Sequence, residues 1–572
     1  MASVSMPATI AYPAADSNVQ VIAEPPLVCL NGRMTKEIGM KVALLQMNPT
    51  VGALRENAAR ILKLAHAAAE AGAEIAVFPE MALCGYSPGD LVQRARFLDD
   101  VAATMAQLGA ELPAGLLTII GAPWRKDGQV INAALLWRDG QLLAVAGKTV
   151  LDDSVEFTES QGFVPASATL VHEVKGVRVG VGIGRSTPGP GEVVLQLAAQ
   201  PYRHERVAAL NERASQFAQA TGAPVLVANL TGSAEGLVFA GGSVAVAADG
   251  TVAARAALLR EEMLLVDLTR KNGGWQPVTG AVAPLPSAVA GTYAALQMGL
   301  RDYVEKNKFP GAMVALSGGM DSALVAAIAV DALGPNRVFG VTMPSPVTAN
   351  ETLADALELA RRLNIPCLKI PLAPAMGTLQ DMLDRADLQT YWAAPLPGST
   401  AAENVQARLR GLLAMALSNR YGHLLVCASN KSEMAVGYAT LYGDMAGGLA
   451  LLKDVPKTLV YELAHWRNRQ GEVIPPGTIA RPPSAELKAN QRDTDSLPAY
   501  DELDPILERL MDRQQDVAEI VRAGFAEATV RRVARMVARA EFKRRQSAPG
   551  IWVTSPLRRR PASRPLTNGY AE

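Results

Sequence analysis

One stretch constrains the fold of this chain more than any other. In "GAMVALSGGMDSALVAAIAVDAL" (311–333) an apolar strand ends at a glycine pair and the chain restarts as an apolar helix. Ser317, Gly318 and Gly319 keep bulky side chains out of the turn, and Asp321 and Ser322 open the helix. Glycines let backbone N–H groups approach a ligand closely. A helix N-terminus adds partial positive charge, so a pyrophosphate fits this cradle. Asp321 would repel a bare phosphate, and an acid there implies a bridging Mg²⁺. A Gly-Gly turn alone is common in any strand-to-helix junction. The serine before it and the Asp-Ser after it make this one specific.

The surrounding pattern supports a parallel sheet. "RVFGVTMPS" reads as a strand, "TLADALELARRLN" as a helix and "PCLKIPL" as a strand, followed by a helix over 404–421 and the strand "HLLVCAS" (423–429). Strands alternating with helices predict an α/β, doubly wound parallel sheet. The first half is strand-rich. Strands are expected at 40–49, 74–80, 177–183, 223–230 and within 241–256, with a helix over 55–73 and a hairpin signal at Asp139-Gly140. "KNGGWQPVTGAVAPLPSAV" (271–289) reads as a linker. The expected organisation is a flexible extension at 1–39, domains at 40–270 and 290–550, and a tail at 551–572.

Composition excludes several classes. The 55 basic residues balance the 55 acidic ones among 572 residues, so no global field recruits nucleic acid or an anionic membrane. Basic clusters occur only near the C-terminus, in "EFKRRQ" and "PLRRRPASR". The four cysteines, Cys29, Cys84, Cys367 and Cys427, have no CxxC or Cys/His spacing, against a disulfide framework or structural zinc. No apolar run is long enough to span a membrane. Residues 1–39 lack the basic and apolar regions of a signal peptide, so a cytoplasmic protein is expected.

The motifs then converge on a family. "SGGMDS" resembles the phosphate loop of ATP pyrophosphatases. "NVQARLRGLLAMALSNRYG", "NKSEMAVGYATLYGDMAGG", "LKDVPKTLVYELA", "RPPSAELKANQRDTDSLPAYDELD" and "EFKRRQSAPG" together resemble NAD⁺ synthetase, almost without interruption over 313–550. The first half resembles the nitrilase-like glutaminase domain of glutamine-dependent NAD⁺ synthetases, an α-β-β-α sandwich. The resemblance implies a carbon–nitrogen ligase that adenylylates the carboxylate of deamido-NAD⁺ with ATP, after which ammonia displaces AMP. It implies that Ser317, Gly318, Gly319, Asp321 and Ser322 hold the ATP phosphates, with Lys457 and Ser484 also on phosphate. Asn404, Arg408, Glu433 and Lys543 are implied at deamido-NAD⁺, and Asp321 and Glu433 as Mg²⁺ ligands, since hard cations take oxygen donors. An isolated Lys or Arg is more often a solvated surface group; only the matched motifs reverse that. Ala428 stands where a threonine hydroxyl would touch ATP, leaving its backbone to serve, and "PVTAN" (346–350) replaces an aromatic- and serine-rich stretch. The implied partners are small molecules (deamido-NAD⁺, ATP, and ammonia or glutamine) and further copies in a homo-oligomer.

The glutaminase half departs further. Related domains use a Glu–Lys–Cys triad in which the thiol attacks the glutamine amide. Glu80, in "FPEMALCGYSPGDL", matches the base, and Lys148, in "AVAGKTVLDD", matches the lysine. Where the cysteine belongs, the chain reads "IGRS", so the nucleophile's position is Gly184. The family's "LPNYG" becomes "LDDSV", and Gln200-Pro201-Tyr202 arrives early, so a helix that packs on the sheet is expected to be missing. Cys84 reads as a small buried thiol, and Ser186 has no evident activating partner. The expectation is a glutaminase domain that keeps its fold without its activity. Two other readings stay open: a working glutamine-dependent enzyme, or a non-catalytic relic.

Overall fold

A computed structural model describes residues 39–153, 158–204, 211–271, 273–385, 400–488 and 490–554. The expected extension at 1–39, apart from Gly39, thus lies outside the described residues, as do Cys29, most of the C-terminal tail and "PLRRRPASR".

The first half contributes β1 (Gly39–Gln46), β2 (Ile75–Val77), β3 (Leu117–Lys126), β4 (Gln129–Arg138), β5 (Gln141–Gly147), β6 (Leu170–Val174), β7 (Val177–Ile183), β8 (Val193–Ala198), β9 (Val225–Asn229), β10 (Thr231–Ala234), β11 (Leu237–Ala240), β12 (Val244–Val246), β13 (Val252–Arg255), β14 (Glu262–Lys271) and β15 (Gly274–Pro277). Two large sheets result, ordered β15-β14-β1-β2-β3-β4-β5 and β13-β12-β9-β8-β7-β6, while β10 and β11 pair as a separate two-stranded ribbon. Side chains alternate across a strand, and β1 uses both faces. Val42 and Leu44 meet Val179, Val181 and Leu195 of the second sheet. Ala43 and Leu45 face the other way, towards Ile61 and Ala65 of α1 (Leu54–Glu70) and Met105 of α2 (Ala95–Glu111). On the outer face of the second sheet, α3 (Glu212–Thr221) packs Ala218 against Val194 and Val225. This is the expected α-β-β-α sandwich.

One connection is anomalous. Strands β7 and β8 pair in parallel, yet only residues 184–192 join them, with no helix. Parallel neighbours ordinarily need a crossover of about a dozen residues or more. The alternating glycines of "VGVGIG" explain how the short path is accommodated. A Cβ on Gly180 would lie 2.0 Å from the Gly189 carbonyl oxygen, and one on Gly182 would lie 2.7 Å from Pro188 Cγ. The Pro/Gly loop therefore lies directly on β7.

The second half holds β16 (Ala312–Ala315), β17 (Val338–Thr342), β18 (Cys367–Lys369), β19 (Leu424–Cys427) and β20 (Leu449–Ala450), all parallel in the order β18-β17-β16-β19-β20. Helices α4 (Ala288–Lys306), α5 (Met320–Leu333) and α6 (Asn350–Arg362) cover one face. Helices α7 (Ala373–Arg385) and α8 (Ala401–Tyr421) cover the other. After them come the short α9 (Lys431–Val436) and α10 (Lys457–Arg469). The strand order reverses direction at β16, the switch point where open α/β sheets bind ligands at their carboxyl ends. Among the described residues no helix is long and apolar enough to cross a membrane.

The halves are joined by buried polar groups. The stretch read as a linker carries β15, which pairs with β14, and the start of α4. On α4, Asp302 accepts from Asn48 Nδ2 (2.9 Å) and the Ser233 N–H (2.6 Å), while Lys306 donates to Asn48 Oδ1 (2.6 Å) and the Ser233 carbonyl (2.8 Å). Residues 551–554 cross back to the first half, where the Trp552 N–H donates to the Gly236 carbonyl at 2.8 Å. Asp302→Ala would leave a buried ammonium and two buried donors uncompensated. It should lower Tm by about 3 °C or more; an unchanged Tm in a thermal melt would contradict this joint.

Candidate functional site

The glycine turn after β16 has the geometry the sequence requires. Gly318 has φ +85°, and a Cβ there would lie 2.2 Å from the Thr352 carbonyl oxygen, so only glycine fits. The Gly319 N–H donates to Ser317 Oγ (3.1 Å), and the Ser322 hydroxyl donates to the Gly319 carbonyl (3.0 Å). Helix α5 follows at once, its first N–H groups directed at the mouth of the turn. Above it opens a cavity of about 480 Å³ at the carboxyl ends of β16, β17 and β19.

A buried lysine organises the cavity floor. The Lys457 ammonium, on the first residue of α10, pairs with Asp321 of α5 and lies 3.3 Å from Glu433 Oε1 of α9. Asn430 Nδ2 donates to Asp321 Oδ1 at 3.1 Å and the Asn430 side chain caps α9, fixing the two acids relative to each other. Burial pushes Glu433 from the ordinary carboxylate value of 4.5 up to about 8; Lys457 opposes the shift, and Asp321 adds to it. Burial alone would lower Lys457, but Asp321 and Glu433 outweigh it and hold the amine firmly protonated.

The other residues singled out in this half divide between two cavities. Ser317, Gly318, Gly319, Asp321, Ser322, Asn404, Ala428, Glu433, Lys457, Ser484 and Lys543 all line the first. Lys543 Nζ donates there to the carbonyls of Gly437 (2.7 Å) and Ala439 (2.6 Å). Arg408 instead lines a neighbouring cavity of about 740 Å³, with Nε donating to the Leu441 carbonyl at 3.3 Å. Arg410, two residues on, faces the first cavity. So do Arg481, which braces the Gly318 carbonyl, and Asp493, whose buried Oδ1 has no hydrogen-bond partner among the described residues while Oδ2 accepts from Tyr500.

The first half brings Glu80, Lys148 and Gly184 together. Lys148 Nζ donates to Glu80 Oε1 at 2.8 Å, and both side chains are sealed from solvent. A Cβ on Gly184, which follows β7, would lie 2.7 Å from Lys148 Nζ and 3.2 Å from Glu80 Oε2. A second acid, missed in the sequence, completes the cluster: Glu159 lies 2.8 Å from Lys148 Nζ and accepts from Tyr86 OH (2.8 Å) and the Asp152 N–H (2.7 Å). Asn132 Nδ2 donates to both carboxylates. Burial raises Glu80, with Lys148 opposing; burial works against the charged Lys148, but the two acids raise it overall.

Among the described residues neither Cys84 nor Ser186 stands in for the absent side chain. Cys84 Sγ donates to its neighbour's carbonyl, Gly85, at 3.4 Å, and burial pushes its thiol up to about 12. The Ser186 hydroxyl accepts from the backbone N–H groups of Thr149 (2.8 Å) and Val150 (3.1 Å), so it props the loop after Lys148.

Comparison with known proteins agrees with this division. Residues 292–547 match the NAD synthase family and residues 41–185 the carbon-nitrogen hydrolase family. The second match ends where the short β7–β8 connection begins. A glutamine-dependent NAD(+) synthetase of Synechocystis sp. is 38% identical over 543 residues, covering 90% of this chain and 96% of the relative. One from Xanthomonas campestris pv. campestris is 40% identical over 547 residues, covering 93% and 98%. The solved structure of glutamine-dependent NAD⁺ synthetase from Acinetobacter baumannii in complex with adenosine diphosphate has a TM-score of 0.72 at 34% identity, covering 92% of this chain and 99% of that one. That of a Cytophaga hutchinsonii glutamine-dependent NAD(+) synthetase has a TM-score of 0.77 at 19% identity, covering 93% and 98%, a likeness of fold.

The raised Glu433 makes stability pH-dependent. The folded state holds a proton that the unfolded chain releases near 4.5, so this contribution is complete below 4.5 and is lost as the pH rises through about 8. The Tm of the ligand-free protein should fall across that window, and Glu433→Gln should flatten the fall. Identical pH–Tm curves for the two proteins would refute the assignment.

Proposed function

The chain belongs to the glutamine-dependent NAD⁺ synthetase family, and on that premise we propose that it amidates deamido-NAD⁺ with ammonia taken up directly, its glutaminase centre being silent. A member of this family is a carbon–nitrogen ligase that makes NAD⁺ with ATP as substrate. In our reading the backbone and hydroxyls of Ser317–Ser322 hold the ATP phosphates, with Lys457, Ser484 and the backbone of Ala428 beside them. Asn404, Glu433 and Lys543 orient deamido-NAD⁺ across the same cavity. Arg408 would reach it from the adjoining one. The carboxylate of deamido-NAD⁺ attacks the α-phosphorus of ATP and pyrophosphate leaves; the ammonia lone pair then attacks the adenylate carbon, AMP departs, and the surplus proton on nitrogen is lost to water. Alignment of two bound anions accounts for much of the acceleration.

Asp321 and Glu433 suit Mg²⁺. Two carboxylates share one ammonium, and Glu433 is pushed up to about 8, so the site carries more acid than its burial favours. Mg²⁺ is ordinarily held by one or two carboxylates together with substrate phosphates. Among the described residues no group of three or more His, Cys, Asp and Glu side chains is arranged to hold a metal alone. When bound there, the ion would offset charge on the departing pyrophosphate.

The observation that carries the ammonia reading is Gly184 beside Glu80 and Lys148. A base and an oxyanion-stabilising lysine have nothing to activate when the attacking atom is absent. The exposed Met382 and Leu383 of α7, Leu412 of α8 and Tyr442 support a face covered by a second copy of the chain, so a homo-oligomer is part of this proposal.

The direct test compares nitrogen donors. NAD⁺ formation with ammonium chloride should proceed, and glutamine should support less than about one-hundredth of that rate. Comparable rates with the two donors would overturn the proposal. Asp321→Ala should abolish pyrophosphate release with ammonium; full release would remove Asp321 from the centre.

A further inference from the structure

Lys457 stands on the first residue of a helix that supplies no cap of its own. Helix α10 begins after Pro456, and no side chain of its own N-terminus accepts from its first N–H groups. Those groups must find partners elsewhere. They find them on Ser432 of α9 and on Asp504 of the helix Tyr500–Leu507. Asp504 Oδ2 accepts from the Thr458 N–H (2.9 Å) and the Thr458 hydroxyl (2.9 Å). Asp504 Oδ1 accepts from the Ser432 hydroxyl, and Ser432 Oγ in turn accepts from the Lys457 N–H (2.9 Å). The first two N–H groups of α10 are thus both tied to one carboxylate, that of Thr458 directly and that of Lys457 through Ser432, and this carboxylate is 8% exposed.

The same helix touches the other end of the lysine. Tyr500, four residues before Asp504 and so on the same helical face, places its ring 5.5 Å beneath Lys457 Nζ. Ser432 adjoins Glu433 on α9. Asp504 thus ties the acid on α9 to the base on α10 without itself lining the cavity.

We propose that Asp504 is a positioning residue for the synthetase reaction: it caps α10 from outside and, through Ser432, sets Lys457 against the ATP phosphates. The proposal rests on the reading of Lys457 as a phosphate contact. A carboxylate suits the task because three donors converge on it. Asparagine offers one acceptor oxygen and must forfeit at least one of them. Hydrogen bonds to a charged acceptor are the stronger kind.

Calorimetric titration of the full-length protein with ATP and Mg²⁺ tests it. Asp504→Asn should weaken ATP binding about tenfold and leave the affinity for deamido-NAD⁺ unchanged. In a Lys457→Met background the same substitution should have no further effect on ATP, because coupled sites are not additive. A purely structural role predicts a lower Tm with unchanged ATP affinity, and that result overturns the proposal. An equal loss in both backgrounds also overturns it. If Asp504→Asn does not fold, Ser432→Ala breaks the same bridge and should weaken ATP binding; unchanged affinity there is equally fatal. Unchanged ATP affinity in Lys457→Met alone would instead refute the Lys457 assignment, which separates the two failures.

Discussion

The ion cluster at Lys457 is the interaction on which the second half depends. A buried ammonium is held between Asp321 and Glu433, residues delivered by three separate helices. Burying charges is costly unless they are paired and hydrogen-bonded. The pairing is assembled only where β16 and β19 lie side by side and the loops beyond them converge. The glycine turn after β16, the cap on α9 and the first turn of α10 all serve to hold these three groups at one point.

The first half repeats the motif to a different end. Lys148 sits between Glu80 and Glu159 as Lys457 sits between its acids. At Lys457 the cluster opens on a cavity of about 480 Å³. At Lys148 all three charged side chains are sealed, and the residue facing them is glycine. Removing one partner from a buried pair costs about 3–5 kcal/mol, so such a cluster resists loss of any member on stability grounds alone. Persistence of Glu80 and Lys148 is therefore no sign of glutamine hydrolysis. The nitrilase-like half also anchors α4 through Asp302 and Lys306 and receives the strap 551–554, whose Trp552 N–H donates to the Gly236 carbonyl. Asp454 binds that strap by the N–H groups of Val553 and Thr554, and its other oxygen lies 3.3 Å from Lys431 of α9. The domain is continuous with the framework of the proposed ATP site.

Local signals in the sequence were enough for β7, found at Val177–Ile183 as its period-two pattern predicts, and for the strand–turn–helix at 311–333. Pairing between distant segments was not legible. β14 lies against β1 although more than two hundred residues separate them, and nothing in "EMLLVDLTRK" names its partner. Glu159 escaped notice because an isolated acid beside a short 3₁₀ turn gains its meaning only from burial against Lys148. Asp504 was quoted within a motif, but its role arises from a helix that lacks its own cap. Arg408 and Arg410 show the limit of motif transfer. Two residues apart on a helix means a rotation of about 200°, so they face different cavities.

Whether the first half contains an attacking atom decides whether glutamine can serve as the nitrogen donor. The most direct measurement is intact-mass spectrometry after incubation with an electrophilic diazoketone analogue of glutamine, which alkylates the active thiol of a glutaminase. With glycine at position 184 the mass should stay unmodified and the synthetase reaction undiminished. One equivalent of adduct mapping to residues 40–270, accompanied by protection with glutamine, would contradict the proposal.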